Sequence, residues 1–238
     1  MDLNDPLMNI PDPTGYSSTP PLLWAAKIND AVRFLDLLLL PRMRANLNST
    51  RVGHDCLNYG IVQDNPDIVR GLIELPLEEF DWTNSDYLNT AAILKRDEIF
   101  RIIADTGKVD ITAKDPHDDG MTPLHRACVS GCVEIVDFLL AQDSVKATVD
   151  ERDENDRTPL SHAVEKGHEE IVQRLLNLST VNPDAIDNRD HTPFYYAINY
   201  GHQNIARALL DTGRISRRDA ARVVAERLAD GGSVPTLI

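Results

Sequence analysis

The sequence has 238 residues, 42% of them apolar and 26% charged, the balance of an ordinary folded chain. Its formal net charge is −14, which repels phosphate backbones and anionic lipid and argues against nucleic acid and membranes as partners. Three scattered cysteines, Cys56, Cys128 and Cys132, form no disulfide framework and point to a reducing compartment, the cytoplasm or the nucleus.

The first residues, MDLNDPLMNIPDP, have no basic start and no apolar run, so no signal peptide is expected. Residues 1–18, with Pro6, Pro11 and Pro13, are expected to form a loose tail. A repeating pattern then begins at Pro21, with Ala25, Ala26, Leu37 and Leu38. The apolar run from Phe34 to Leu40 is broken by Asp36 and ended by Pro41, too short to cross a bilayer. The second copy places Cys56 where the first has proline, followed by Leu57, Gly60, Ile61, Ile68, Val69, Leu72 and Ile73. In the third copy Tyr87 takes that place, followed by Leu88, Ala91, Ala92, Ile99, Phe100 and Ile103.

The next three copies are plain. They are TPLHRACVSGCVEIVDFLL from Thr122, TPLSHAVEKGHEEIVQRLL from Thr158 and TPFYYAINYGHQNIARALL from Thr192. The six anchor positions, Pro21, Cys56, Tyr87, Pro123, Pro159 and Pro193, are 35, 31, 36, 36 and 34 residues apart. Each Thr-Pro opens a short helix, because proline is pre-set for the first helical position and lacks the amide that would go unpaired there. Gly131, Gly167 or Gly201 stops that helix. A second helix follows, with apolar residues at i, i+1, i+4 and i+5, as in Ile135, Val136, Leu139 and Leu140. Asn29 stands at the glycine position of the first copy. Lys95 stands at that of the third, where a distorted turn is expected. From Arg214 to Ala229 one more helix is expected, with Ala220, Ala221, Val224, Ala225 and Leu228 as its apolar stripe.

These blocks resemble the ankyrin-repeat family, whose TPLH, Ala, Gly and Ile-Val-x-x-Leu-Leu signature stands here three times in phase. The resemblance covers about residues 19 to 229. It implies an all-α solenoid of about six helix-turn-helix repeats over residues 19–213, closed by a C-terminal capping helix and tail over 214–238. It also implies hairpin-like loops along one edge, and a structural use of His125 that ties one repeat's turn to the next. His168 and His202 take the same structural reading.

Positive evidence for chemistry is missing from the residues. There is no phosphate-binding glycine loop, nucleophile elbow or H-E-x-x-H, so no catalytic residue, cofactor or metal is assigned. The run Asp115, His117, Asp118, Asp119 could hold a divalent cation loosely; an acidic, solvated loop tip is the simpler account. Cys128 takes a small-residue core position, and Gly131 separates it from Cys132. Between Arg207 and Arg227 six arginines face three acids, a basic end on an acidic chain.

The resemblance places partner contacts at the exposed end of each first helix and at the loop tips. Ile28, Val62, Ile93, Leu94 and Val129 are expected to form an apolar strip that runs into a polar and aromatic zone at Lys166, Tyr195 and Tyr200. The loop tips add Asp118, Asp119, Met121, Arg157, Arg189 and His191. The function so indicated is a protein-binding adaptor or scaffold of unassigned oligomeric state. The alternative is a divergent solenoid with a small-molecule pocket or an enzymatic role in its concave face. A nucleic-acid factor using the basic end is opposed by the overall acidity.

Overall fold

A computed structural model describes residues 20–41, 43, 47, 51–75, 86–116 and 118–229. Among them are fourteen α-helices and no strand. They fall into two compact units, one of residues up to Ala91 with Glu98–Val109, the other of Ala92–Asp97 with Asp110 onward.

The first unit contains α1 (Pro21–Lys27), α2 (Ala31–Leu38), α3 (Val52–Val62) and α4 (Pro66–Ile73). It also holds most of α5 (Asp86–Ile93) and α6 (Asp97–Ala104). Helices α1 and α2 form one pair and α3 and α4 the next, with α1 against α3 and α2 against α4. Helices α2 and α4 start from side-chain caps: the Asp30 carboxylate accepts from the Arg33 amide at 3.0 Å, and Asn65 from the Ile68 amide at 3.3 Å. Each then buries one stripe: Phe34, Leu37 and Leu38 in α2, Ile68, Val69 and Leu72 in α4, Ile99, Phe100 and Ile103 in α6. Each such side chain contributes about 2 kcal/mol of burial energy, which the helix cannot gain without a neighbour to cover it.

The second unit contains α7 (Pro123–Ser130), α8 (Val133–Ala141), α9 (Asp143–Ala147), α10 (Pro159–Lys166), α11 (Glu169–Leu176), α12 (Pro193–Asn199), α13 (Gln203–Asp211) and α14 (Arg217–Ala229). First helices α7, α10 and α12 lie side by side and α14 continues their row; second helices α8, α11 and α13 form a parallel row. The hydroxyls of Thr122, Thr158 and Thr192 cap α7, α10 and α12, each followed by proline in the first turn.

The turn between the helices of a pair has one backbone solution throughout. Gly131, Gly167 and Gly201 each have φ 76°, in the left-handed region. Asn29, Asp64 and Lys95 reach the same region at φ 62°, 57° and 57°. The turn at Lys95 is therefore regular rather than distorted: the side chain accepts the strain and the backbone keeps its path.

Three features depart from the sequence pattern. Helix α3 begins at Val52, four residues before Cys56, because no proline or hydroxyl cap sets its start there. The short helix α9 follows α8 directly. In α14 the buried residues are Ala220 and Val223, while Ala221, Ala225 and Leu228 are exposed and Val224 is half-buried. The expected stripe assumed a broad apolar face, whereas α14 presents only a narrow seam to α12. Residues 1–18 and the tail beyond residue 229 lie outside the described residues, as does His117.

Candidate protein-interaction surface

The loops of the second unit are built on three buried aspartates, Asp115, Asp153 and Asp187. Their backbone amides donate to the carbonyls of Met121, Arg157 and His191 at 2.9, 3.0 and 3.0 Å, closing each loop. Successive tips are also linked: the Glu154 amide donates to the Asp119 carbonyl at 2.8 Å, and the Asn188 amide to the Asn155 carbonyl at 3.1 Å. The Asp153 carboxylate accepts from the amides of Asn155 and Arg157 and from His162 Nε2 at 2.8 Å. Asp187 repeats this, accepting from the amides of Arg189 and His191 and from the Tyr196 hydroxyl. Burial pushes both carboxyls up, but the hydrogen bonds that converge on them win and hold them below their usual range. Burial, then its bond to Asp187, pushes the Tyr196 phenol up.

His125 ties one repeat to the next. Its Nδ1 accepts from the Thr122 amide at 3.2 Å, and its Nε2 donates to the Arg157 carbonyl at 3.1 Å. Burial, then His162 nearby, lowers it to about 4, so it is a neutral structural donor near neutral pH.

The ends of the first helices are fixed by a second set of ties. His168 Nε2 donates to the Val129 carbonyl at 3.2 Å, and His202 Nε2 to the Glu165 carbonyl at 3.1 Å. In the first unit Gln63 Nε2 donates to the Lys27 carbonyl at 3.0 Å. The first-helix ends also carry exposed apolar side chains. Ile28 is 46% exposed and Val62 51% in the first unit; Ile93 is 47% and Leu94 36% in the second. Each of these apolar side chains leaves between 36% and 51% of its surface in solvent, area that folding does not bury.

In the last repeats of the second unit the first-helix ends are polar and aromatic. Tyr195 stacks on His191 with ring centroids 3.8 Å apart and planes 5° from parallel. Arg157 sits over the Tyr196 ring at 4.7 Å and pairs with Glu165 at 2.6 Å. The Tyr200 hydroxyl donates to the same carboxylate at 3.3 Å. Together they line an open cleft of about 270 Å³.

The family model described as "Ankyrin repeats (3 copies)" matches residues 77–151 and 143–219, more than half of the chain. The chain belongs to the ankyrin-repeat family. It is also 40% identical over 68 residues to an ankyrin repeat-containing protein of Schizosaccharomyces pombe, a match spanning 28% of this chain and 28% of that protein. Ankyrin repeats generally mediate protein–protein interaction.

Not all ankyrin loop-tip residues named from the sequence reach solvent. Met121 is 8% exposed and packs in the core. Asp118 forms an ion pair with Arg126, and Arg157 is engaged by Glu165 and Tyr196. Asp119, Lys166 and Arg189 are exposed; Val129, Tyr195 and His191 are half-buried. Asp115 is a buried loop anchor rather than part of a solvated tip. Among the described residues no group of three or more His, Cys, Asp and Glu side chains is placed to hold a metal ion. No described helix is long and apolar enough to cross a membrane. The three cysteines are free and buried, and burial raises their thiol pKa values, that of Cys56 to about 12.

Sequence reasoning missed His162 and Tyr196. Each lies three residues after its repeat's proline and reaches the aspartate six residues before that proline. The signal was available as a recurring Asp-x-x-Asp before each of the last two proline anchors.

Proposed function

We propose that this ankyrin array is an adaptor or scaffold that engages a partner protein through the exposed ends of its first helices and the adjoining loop tips. The observation that carries this is the recurrence of exposed apolar side chains, Ile28, Val62, Ile93 and Leu94, at two adjacent helix-end positions in successive repeats. Solvent alone gives no reason for such a recurrence. The polar and aromatic zone of Lys166, Tyr195 and Tyr200 supports it, because Tyr combines apolar area with a hydrogen-bonding tip. The tied loops support it too, since a surface ordered before encounter loses less entropy on binding. Three free, buried cysteines support a reducing location, the cytoplasm or the nucleus.

The test is partner capture by the full chain against Val62→Asp and Leu94→Asp. Val32→Asp is the control, because Val32 is 74% exposed and belongs to α2, the second helix of its repeat. The two helix-end changes are expected to lower capture at least ten-fold with unchanged helical circular dichroism. Equal capture by all four proteins would remove this reading.

A further inference from the structure

The last repeat and the helix that follows it enclose a second cleft, of about 510 Å³, a volume typical of ligand sites. The loop before α12 and the helix itself supply Arg189, Asp190, His191 and Tyr195; α14 supplies Arg222, Glu226 and Arg227, so three arginines face two acids. Arg222 is held by Glu226 at 3.3 Å, one turn further along α14. Arg189 and Arg227 differ: neither guanidinium has an ion-pair partner among the described residues. The Nε of Arg227 is shielded from solvent and meets no acceptor among them. In the same cleft the His191–Tyr195 stack offers a flat, partly apolar platform.

We propose that this cleft receives an acidic segment of a partner protein, a carboxylate side chain lying between Arg189 and Arg227 with its neighbour resting on Tyr195. A guanidinium presents two parallel N–H groups that match a carboxylate's two oxygens. A chain segment suits the site better than a single small anion. The cleft shares Arg189, His191 and Tyr195 with the Tyr200 cleft beside it, so the surface continues past one side chain. The inference rests on the array being a protein-binding module, and adds the chemistry of what one end binds. The net charge of −14 sharpens it: on such a chain an acidic ligand must be drawn by local geometry, since the long-range field opposes it.

The test is fluorescence anisotropy of the full chain with a labelled, blocked tetraglutamate peptide, alongside its tetraglutamine counterpart. The acidic peptide alone is expected to bind, more weakly as salt rises. Arg189→Gln and Arg227→Gln are expected to weaken it about ten-fold each, with circular dichroism unchanged. Arg227→Lys is expected to restore only part of the affinity, because an ammonium lacks the fork. Val62→Asp is expected to leave peptide binding intact, which separates this cleft from the helix-end surface. Equal binding of both peptides, or unchanged binding by the glutamine variants, would overturn the proposal. Displacement of the peptide by inorganic phosphate at millimolar concentration would overturn it too, assigning the site to a free anion. Failure here with helix-end-dependent capture intact removes the cleft alone; loss of that capture removes the module reading.

Discussion

His125 shows how one side chain joins local and tertiary structure. It completes the cap of its own helix through Thr122 and holds the next repeat's loop through the Arg157 carbonyl. The first job needs the neutral ring, because protonation would destroy the Nδ1 acceptor, while the Nε2 donor would survive it. Burial holds its pKa at about 4 in the fold, below the ordinary imidazole value of 6.5. The unfolded chain therefore takes up this proton first as pH falls. The stabilisation is complete above pH 6.5 and is lost as pH falls through about 4, by roughly 3 kcal/mol in all. His162 is shifted in the same direction, by burial. Urea unfolding at pH 7 and pH 4.5 should show this loss, and His125→Asn should be less stable at pH 7 but vary less between the two. Equal pH dependence in both proteins would relieve His125 of this role. The role of His125 was legible in the letters TPLH. That of His162 was not, because its partner Asp153 lies in a loop whose burial appears only once neighbouring repeats are stacked.

At the scale of elements, the turn between paired helices tests backbone against side chain. Lys95 holds φ 57° with a Cβ that this region penalises. Lys95→Gly is expected to stabilise the chain by about 1 kcal/mol, read as a higher urea midpoint at constant m-value. Gly167→Ala is expected to do the reverse by well over 1 kcal/mol. Its φ is 76°, and an added Cβ would stand 2.6 Å from the His202 ring. If Lys95→Gly destabilises instead, the Lys95 side chain makes contacts that outweigh its strain. Helix positions were readable even where the letters had drifted, because Cys56, Leu57, Ile61, Ile68 and Val69 keep their offsets and are all buried. Helix ends were less readable. Nothing in the run before Cys56 marks Val52 as the start of α3, and AQDSVKA gives no periodic stripe from which α9 could be drawn.

Across the whole molecule, charge works against compactness. Thirty-eight acidic residues face 24 basic ones. Ion pairs such as Arg33–Asp30, Lys146–Asp143 and Arg222–Glu226 lie at the surface, where each contributes at most about 1 kcal/mol. Salt weakens those pairs and also the general repulsion, and with 14 unbalanced charges the second effect is the larger. Raising sodium chloride from about 0.05 to 0.5 M is therefore expected to stabilise the fold by about 1 kcal/mol, or about 2–4 °C in Tm. A fall in Tm would show that local pairs dominate. The repeat order was legible from three clear copies; which apolar side chains stay outside was not, since Ile28 and Leu22 carry equal hydrophobicity and only packing separates them.

The tie between one repeat's turn and the next repeat's helix start has two chemical versions in this chain. Asn29 is bonded to Asn65, through Nδ2 of the latter, at 2.6 Å. At the equivalent places Gly131 lies under the ring of His168, and Gly167 under that of His202. Such positions cannot drift singly. A glycine introduced at 29 opposite an unchanged Asn65 loses an acceptor, and an asparagine at 131 collides with an imidazole. Inheritance has to exchange the two letters together, although they sit in different repeats about 36 residues apart.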